Sequence, residues 1–326
     1  EFWIDVGGTF TDCIYRRPDN SVSTLKVLSS GISKGIVDEI SGTDRIVDTC
    51  RIGDPDGFWT GYTIRFLSES GRAIHTARVR KSQSANGLLG VEQLLPPHVT
   101  TGTRYELDSG EEAPILSIRR AMCLLLEDAI PRVSVRLGTT RGTNALLTRT
   151  GARTAFVTTK GFRDILLIGN QDRPRLFDLA IQKPEPLFEQ TVEIEERLDS
   201  TGGVLKTPDE DEVRSRLKQL RETGVESIAI CLLHAFANDV HEHVVERIAR
   251  EIGFTEISTS SRLSPLIRIV ARGDTTVADA YLNPILRDYV DRLRRSLGDS
   301  TLRMMTSAGG LVDADQFVGK DSILSG

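Results

Sequence analysis

No stretch of this 326-residue chain approaches the roughly eighteen consecutive apolar residues that a membrane-spanning helix needs. The longest candidates, such as residues 228–233, are strand-sized. No charged region followed by an apolar one opens the sequence as a secretory signal would. Cysteine is scarce: Cys13, Cys50, Cys123 and Cys231 stand far apart, form no CxxC pair and have mostly apolar neighbours. A disulfide framework is therefore not expected, and reduced thiols in a cytoplasmic protein are. Lys and Arg do not cluster on any helix face, and the formal net charge is -5, which argues against a nucleic-acid partner. The familiar site motifs are missing too. There is no P-loop and no GxGxxG, and HExxH fails because Val245 stands where its second His belongs. His241 and His243 point to different faces of a helix, and no Cys joins them and His234 in a zinc set, so all three read as structural.

What the chain does have begins four residues in. Asp5-Val6-Gly7-Gly8-Thr9-Phe10-Thr11-Asp12 lies between the apolar runs Phe2-Trp3-Ile4 and Cys13-Ile14-Tyr15, which predicts strand, tight turn, strand. Paired glycines permit positive φ at the bend and leave no Cβ to hold a ligand off the backbone. Amide groups of Gly7 and Gly8, with the hydroxyls of Thr9 and Thr11, can cradle phosphate oxygens. Asp5, at the end of the first strand, can hold a hydrated Mg²⁺ that neutralises them. The same residues also make a plain Gly-Gly hairpin, and the local pattern leaves both readings open.

Residues 23–28 read as a third strand, and a three-stranded antiparallel opening with such a bend is how actin-like ATPase domains begin. From about residue 43 to 114, turn clusters and alternating runs predict a small β-rich insertion; Trp59, Tyr62 and Phe66 either line a binding surface or, as aromatics in a small β module more often do, form its core. Helical periodicity is expected from Ser117, as N-cap, to Ile130. A strand at 133–137 then enters Gly138-Thr139-Thr140-Arg141-Gly142-Thr143-Asn144 and an apolar helix. Open α/β sheets place ligands at such loops. Thr139, Thr140 and Asn144 suit a phosphate or an amide there, and equally a capped helix start. Gln171 and Arg173 sit in a polar knot that is either a solvated loop or part of a cleft. From Leu205 onward, helices (about 208–223, 239–252 and 276–297) alternate with apolar strands (226–233, 257–259, 302–306), which predicts a mostly parallel sheet covered by helices.

Taken together the motifs resemble one family, that of hydantoinase A and 5-oxoprolinase, with the related subunits of acetone and acetophenone carboxylases. The resemblance is carried by DVGGTFTD (5–12), GTTRGTNALL (138–147), KGFRD (160–164), QDRPRLFDL (171–179) and EERL (195–198). It continues through CLLHAFAN (231–238), RGDTTVADAYLNP (272–284), SAGGL (307–311) and SILSG (322–326). It implies an α/β, actin-like ATPase (ribonuclease-H-like) architecture. An N-terminal domain would span 1–200, with the insertion at 43–114, and an incomplete central α/β domain 201–326. The implied activity is ATP-dependent ring opening of a five-membered cyclic amide, 5-oxoproline or a hydantoin, with Mg²⁺, through a phosphorylated amide that water then hydrolyses. Carried over position by position, Gly7, Gly8, Thr9 and Thr11 hold phosphates, while Asp5 and Asp12 serve Mg²⁺ or the attacking water. Thr139, Thr140, Asn144, Gln171, Arg173, Arg272, Asp274 and Thr275 are the cleft candidates. The family also implies a hydantoinase B-type subunit or fused domain, and a homo-oligomer at full length. The alternatives are the ATP-using subunit of a ketone carboxylase and a non-catalytic actin-like module.

Arg141 and Gly142 depart from the family loop, where hydrophobic and small residues are commoner. The family's later Asp-Gly-Gly-Thr motif is absent, the chain opens without Met, and it stops mid-motif at SILSG. A truncated chain, inactive in isolation, is therefore expected.

Overall fold

The computed structural model describes residues 1–170 and 183–326. Spatial contacts divide them into two compact units: Glu1–Arg141 with Val290–Gln316 and Ser325–Gly326, and Gly142–Tyr289 with Phe317–Leu324.

In the first unit, Phe2–Val6 (β1) and Phe10–Arg16 (β2) form the predicted hairpin, and Val22–Leu28 (β3) pairs antiparallel with β2. Alternation along β1 and β2 buries Phe2, Ile4, Val6, Thr11, Cys13 and Tyr15 on one face and exposes Asp5, Asp12 and Ile14 on the other. Seven strands follow: Ser33–Ile36 (β4), Glu39–Ile40 (β5), Arg45–Val47 (β6), Thr63–Leu67 (β7), Ala73–Gln83 (β8), Leu88–Val91 (β9) and Arg104–Asp108 (β10). They make one sheet in the order β4-β10-β7-β8-β9-β6-β5, so the β-rich segment starts ten residues before the expected 43. Phe58, Trp59, Tyr62 and Phe66 are its core. Trp59 packs edge-on against Phe58 and Tyr62 at 4.9 and 5.1 Å, and its indole N–H donates to Asp54 at 2.8 Å.

The next helix differs from expectation. It spans Ala113–Met122 (α1), starting on Pro114 and ending where Cys123 turns left-handed at φ 56°. Ser117 lies inside it, its hydroxyl donating to Pro114 O. The apolar residues beyond are irregular because buried Arg119 collects the carbonyls of Leu125 and Asp128 while pairing with Glu111. Ser134–Thr139 (β11) then runs parallel to β1.

Arg141–Thr148 (α2) is followed in the second unit by Thr154–Thr159 (β12), Ile165–Ile168 (α3) and Gln190–Ile194 (β13). Arg197–Leu198 (β14) and Val204–Lys206 (β15) form a hairpin. The position 200/201 lies in the turn of that hairpin. Glu210–Glu222 (α4), Ser227–Cys231 (β16), Val240–Ile252 (α5), Glu256–Thr259 (β17), Ser260–Leu263 (α6) and Ile269–Leu297 (α7) complete the alternation. The sheet β13-β12-β16-β17 is parallel throughout, as the apolar strands predicted. Val213, Leu217 and Leu220 of α4 and Val245 and Ile248 of α5 cover the face carrying Ala155, Val157, Ile228 and Ile230. Val277 and Ala280 of α7 cover the opposite face at Phe156 and Ala229. Each Val, Ile or Leu so buried contributes about 1.5–3 kcal/mol. α7 begins seven residues earlier than expected, because Thr275 and Thr276 turn their hydroxyls back onto Ala271 O and Arg272 O and so fit a helix interior. Thr301–Met305 (β18) and Leu311–Asp313 (β19) finish the first unit's sheet, ordered β19-β18-β11-β1-β2-β3.

Candidate functional site

At the end of β1, Asp5 faces outward between two neighbours in register, Asp12 of β2 and Gly138 of β11. Two carboxylates directly opposite each other repel unless something neutralises them. Lys26 does so for Asp12, at 2.7 and 3.0 Å from its two oxygens. Asp5 has no hydrogen-bond or ion-pair partner among the described residues. A cation would therefore be drawn to Asp5 rather than to Asp12.

The hairpin turns through Gly8 and Thr9. The Gly7 N–H donates to Phe10 O at 3.0 Å, and a Cβ on Gly7 would sit 2.9 Å from that oxygen. Close backbone approach, not the positive φ expected, is what requires glycine at position 7. Thr9 is exposed at the apex, and its carbonyl accepts from the Ser29 N–H at 2.9 Å. Thr11, expected to present its hydroxyl to a phosphate, is fully buried and shares that hydroxyl with Ser29 at 3.0 Å. It holds the bend from behind. The parity of β2, which groups Thr11 with Cys13 and Tyr15, carried that signal in the sequence.

The loop after β11 closes onto the same strand end. The Thr140 N–H and hydroxyl both donate to Val6 O, at 2.9 and 3.2 Å. Buried Thr139 accepts the Arg141 N–H on its hydroxyl at 3.2 Å, starting α2. Gly138 is packed too closely for any side chain: a Cβ there would lie 3.3 Å from Asp5 Oδ1 and 2.9 Å from Ser325 O. Of the departures from the family loop, Arg141 pairs with Glu112 at 2.7 Å, and Gly142 has no room for a Cβ beside the Ser322 side chain. Sequence reasoning gave no role to Lys26, Ser29 or Ser325. Only the pairing of β2 with β3, which sets Lys26 opposite Asp12, was open to it.

The remaining candidates belong to the second unit or fall outside the described residues. Gln171 and Arg173 are outside the described residues. Asn144 is on α2, in the second unit. Arg272 is buried on α7, its guanidinium donating to Leu232 O and Leu266 O at 2.6 and 2.9 Å. Asp274 stands at the rim of a cavity of about 750 Å³ walled by Leu146, Leu166, Phe188 and Val277, where partial desolvation holds its carboxyl above the ordinary range. Among the three histidines, His241 is buried against Glu196 at 2.6 Å, and His243 is exposed beside Asp239. No group of three or more His, Cys, Asp or Glu among the described residues can hold a metal ion.

The hydantoinase/oxoprolinase N-terminal region matches residues 1–54 and 97–253, and the hydantoinase/oxoprolinase domain matches 272–326. The chain belongs to the hydantoinase/oxoprolinase family. The gap in the first match, 55–96, falls within the β-rich insertion. Among curated relatives, the 5-oxoprolinase of Saccharomyces cerevisiae is 42% identical over 254 residues, 66% of this chain and 20% of that protein. The acetophenone carboxylase gamma subunit of Aromatoleum aromaticum is 34% identical over 211 residues, 58% of this chain and 29% of that subunit. The chain thus spans about a fifth to under a third of these relatives' lengths. The crystal structure of the ATP-dependent caprolactamase from Pseudomonas jessenii superposes with a TM-score of 0.60 at 21% identity, covering 100% of this chain and 38% of that one. The fold is accordingly the actin-like α/β architecture of this family, with a β-rich insertion.

Proposed function

We propose that this chain supplies the phosphate-binding bend of an enzyme that uses ATP to open a five-membered cyclic amide, 5-oxoproline or a hydantoin. The observation carrying the proposal is the exposed Asp5 carboxylate, without a partner among the described residues, at the end of β1 beside the Gly7–Thr9 bend and in register with Gly138. Exposed Asp5 offers one carboxylate, and Mg²⁺ is ordinarily held by one or two carboxylates together with substrate phosphates, so a larger ligand group is not required. When bound, ATP supplies the phosphoryl group that turns the amide oxygen into a leaving group, with Mg²⁺ offsetting its charge. Asp5 would hold the cation through water. The backbone at Gly7 and Gly8 and the Thr9 hydroxyl would receive phosphate oxygens. Thr11, Ser29 and Thr140 keep bend and loop in place, and Lys26 cancels the charge of Asp12, so that the site's negative charge is concentrated on Asp5. Such preorganisation contributes by positioning and charge stabilisation, without a nucleophile of its own.

All four thiols are free, which supports a reducing, cytoplasmic setting, and no helix among the described residues is long and apolar enough to cross a membrane. A hydantoinase B-type subunit or fused domain, and self-association at full length, belong to the same reading. The relation to the carboxylase subunit favours a second one, ATP use in ketone carboxylation. Phosphate release from ATP by the full-length protein separates them. Stimulation by 5-oxoproline or hydantoin supports ring opening, and stimulation by a ketone with bicarbonate supports carboxylation. Asp5→Ala should weaken Mg-ATP binding at least about tenfold, near 1.4 kcal/mol. Unchanged affinity would refute the placement of the phosphates.

A further inference from the structure

Three motifs remain without a function in this reading: the Asp279–Asn283 part of α7, Gly142-Thr143, and the terminal Ser322–Gly326. Hydrogen bonds join them. In the second unit, buried Asp279 accepts the Lys320 N–H at 2.9 Å and the Ser258 hydroxyl at 2.7 Å, while Asn283 accepts the Gly319 N–H at 2.7 Å. Gly319 packs so close that a Cβ would lie 2.6 Å from Asp279 O. The Ser322 hydroxyl donates to Gly319 O, and Ile323 O receives the Thr143 hydroxyl. In the first unit, the Ser325 hydroxyl, itself buried, donates to Thr139 O at 2.6 Å, and Ser325 O lies against Gly138.

We infer that Ser325 is a positioning residue of the phosphate site: its hydroxyl fixes the Gly138–Thr140 turn, and that turn holds Gly138 beside Asp5. Thr139 is buried, so losing the Ser325 hydroxyl takes a donor from a carbonyl held away from water. The turn would then relax, taking with it the Thr140 contacts to Val6 O at the root of the bend. A site assembled this way discriminates by geometry, and a shift of about 1 Å is enough to cost large factors. The inference rests on the nucleotide reading above, and the test keeps the two apart.

In the full-length protein, Ser325→Ala is compared with wild type by amide hydrogen exchange at Thr140 and Arg141, and by the ratio of ATP to adenosine affinity. Faster exchange at those two amides, with a roughly tenfold fall in the ratio, is the expected result. General destabilisation would lower both affinities and leave the ratio alone. Gly138→Ala, which crowds Ser325 O and Asp5 from the other side, should lower the same ratio. Unchanged exchange in Ser325→Ala overturns the inference, as does faster exchange with an unchanged ratio. A wild-type protein that binds no ATP refutes the nucleotide reading and takes the positioning role with it, while the exchange result still reports whether Ser325 holds the turn.

Discussion

Arg272 separates a structural role from a ligand-binding one, because burial and motif membership point in opposite directions. The residue is 1% exposed, with Nη2 on Leu232 O at 2.6 Å, Nη1 on Leu266 O at 2.9 Å, and the guanidinium carbon 5.6 Å from the centre of the Phe236 ring. Replacing it with Met keeps most of the stem volume but strands the buried carbonyl of Leu232, at about 1–3 kcal/mol, while the carbonyl of exposed Leu266 can turn to water. Part of that loss is returned. A buried charge is no longer held out of water, and Nε, which has no partner among the described residues, is gone. The net expectation is a destabilisation of about 1–3 kcal/mol. With an m-value near 2 kcal/mol/M, the urea midpoint should fall by roughly 0.5–1.5 M. Arg272→Lys keeps the charge but offers a single ammonium to two carbonyls, so it should fall in between. Circular dichroism in urea gives the midpoint. A midpoint unmoved by Arg272→Met, with weakened substrate binding, would return Arg272 to the cleft and refute the reasoning.

Thiol chemistry and pH supply two more tests. Burial pushes the Cys13 thiol up to about 11, with the Ser117 hydroxyl a smaller opposing effect, and also raises Cys231. At pH 8 a disulfide reagent should therefore titrate Cys50 and Cys123 quickly and reach Cys13 and Cys231 only on unfolding; a third fast thiol in the native protein contradicts the burial. Burial also holds the Glu256 carboxyl above its ordinary range, against the pull of Arg287 at 3.3 Å. The native state then binds this proton more tightly than the unfolded chain, so its contribution to stability falls as pH rises through the carboxylate range. Wild type should accordingly lose stability relative to Glu256→Gln between about pH 4 and pH 7. A difference that stays constant across that range would show that Arg287 fully compensates the burial.

How far the sequence reveals this molecule depends on the range of the interaction that decides each feature. The hairpin at 5–12, the parallel sheet of the second unit and the helix Val240–Ile252 with its Gly253 stop are set by neighbours a few residues away, and periodicity shows them. The end of α1 is not, because Arg119 draws in carbonyls that would otherwise continue a plausible helix. The site follows the same rule. Asp5, Gly7 and Thr9 are legible from one turn, and strand parity would have put Thr11 inside. The contact from Thr140 to Val6 spans 134 residues, and that from Ser325 to Thr139 spans 186. No local pattern encodes either one. The Thr11 hydroxyl is shared with Ser29, that of Thr139 starts the helix that follows it, and that of Thr140 reaches back to Val6 O, so these motif hydroxyls are engaged in the fold itself. On the proposed reading, exposed Thr9 and Asp5 are the side chains that meet the ligand, and the rest of the motif specifies how the chain closes behind them.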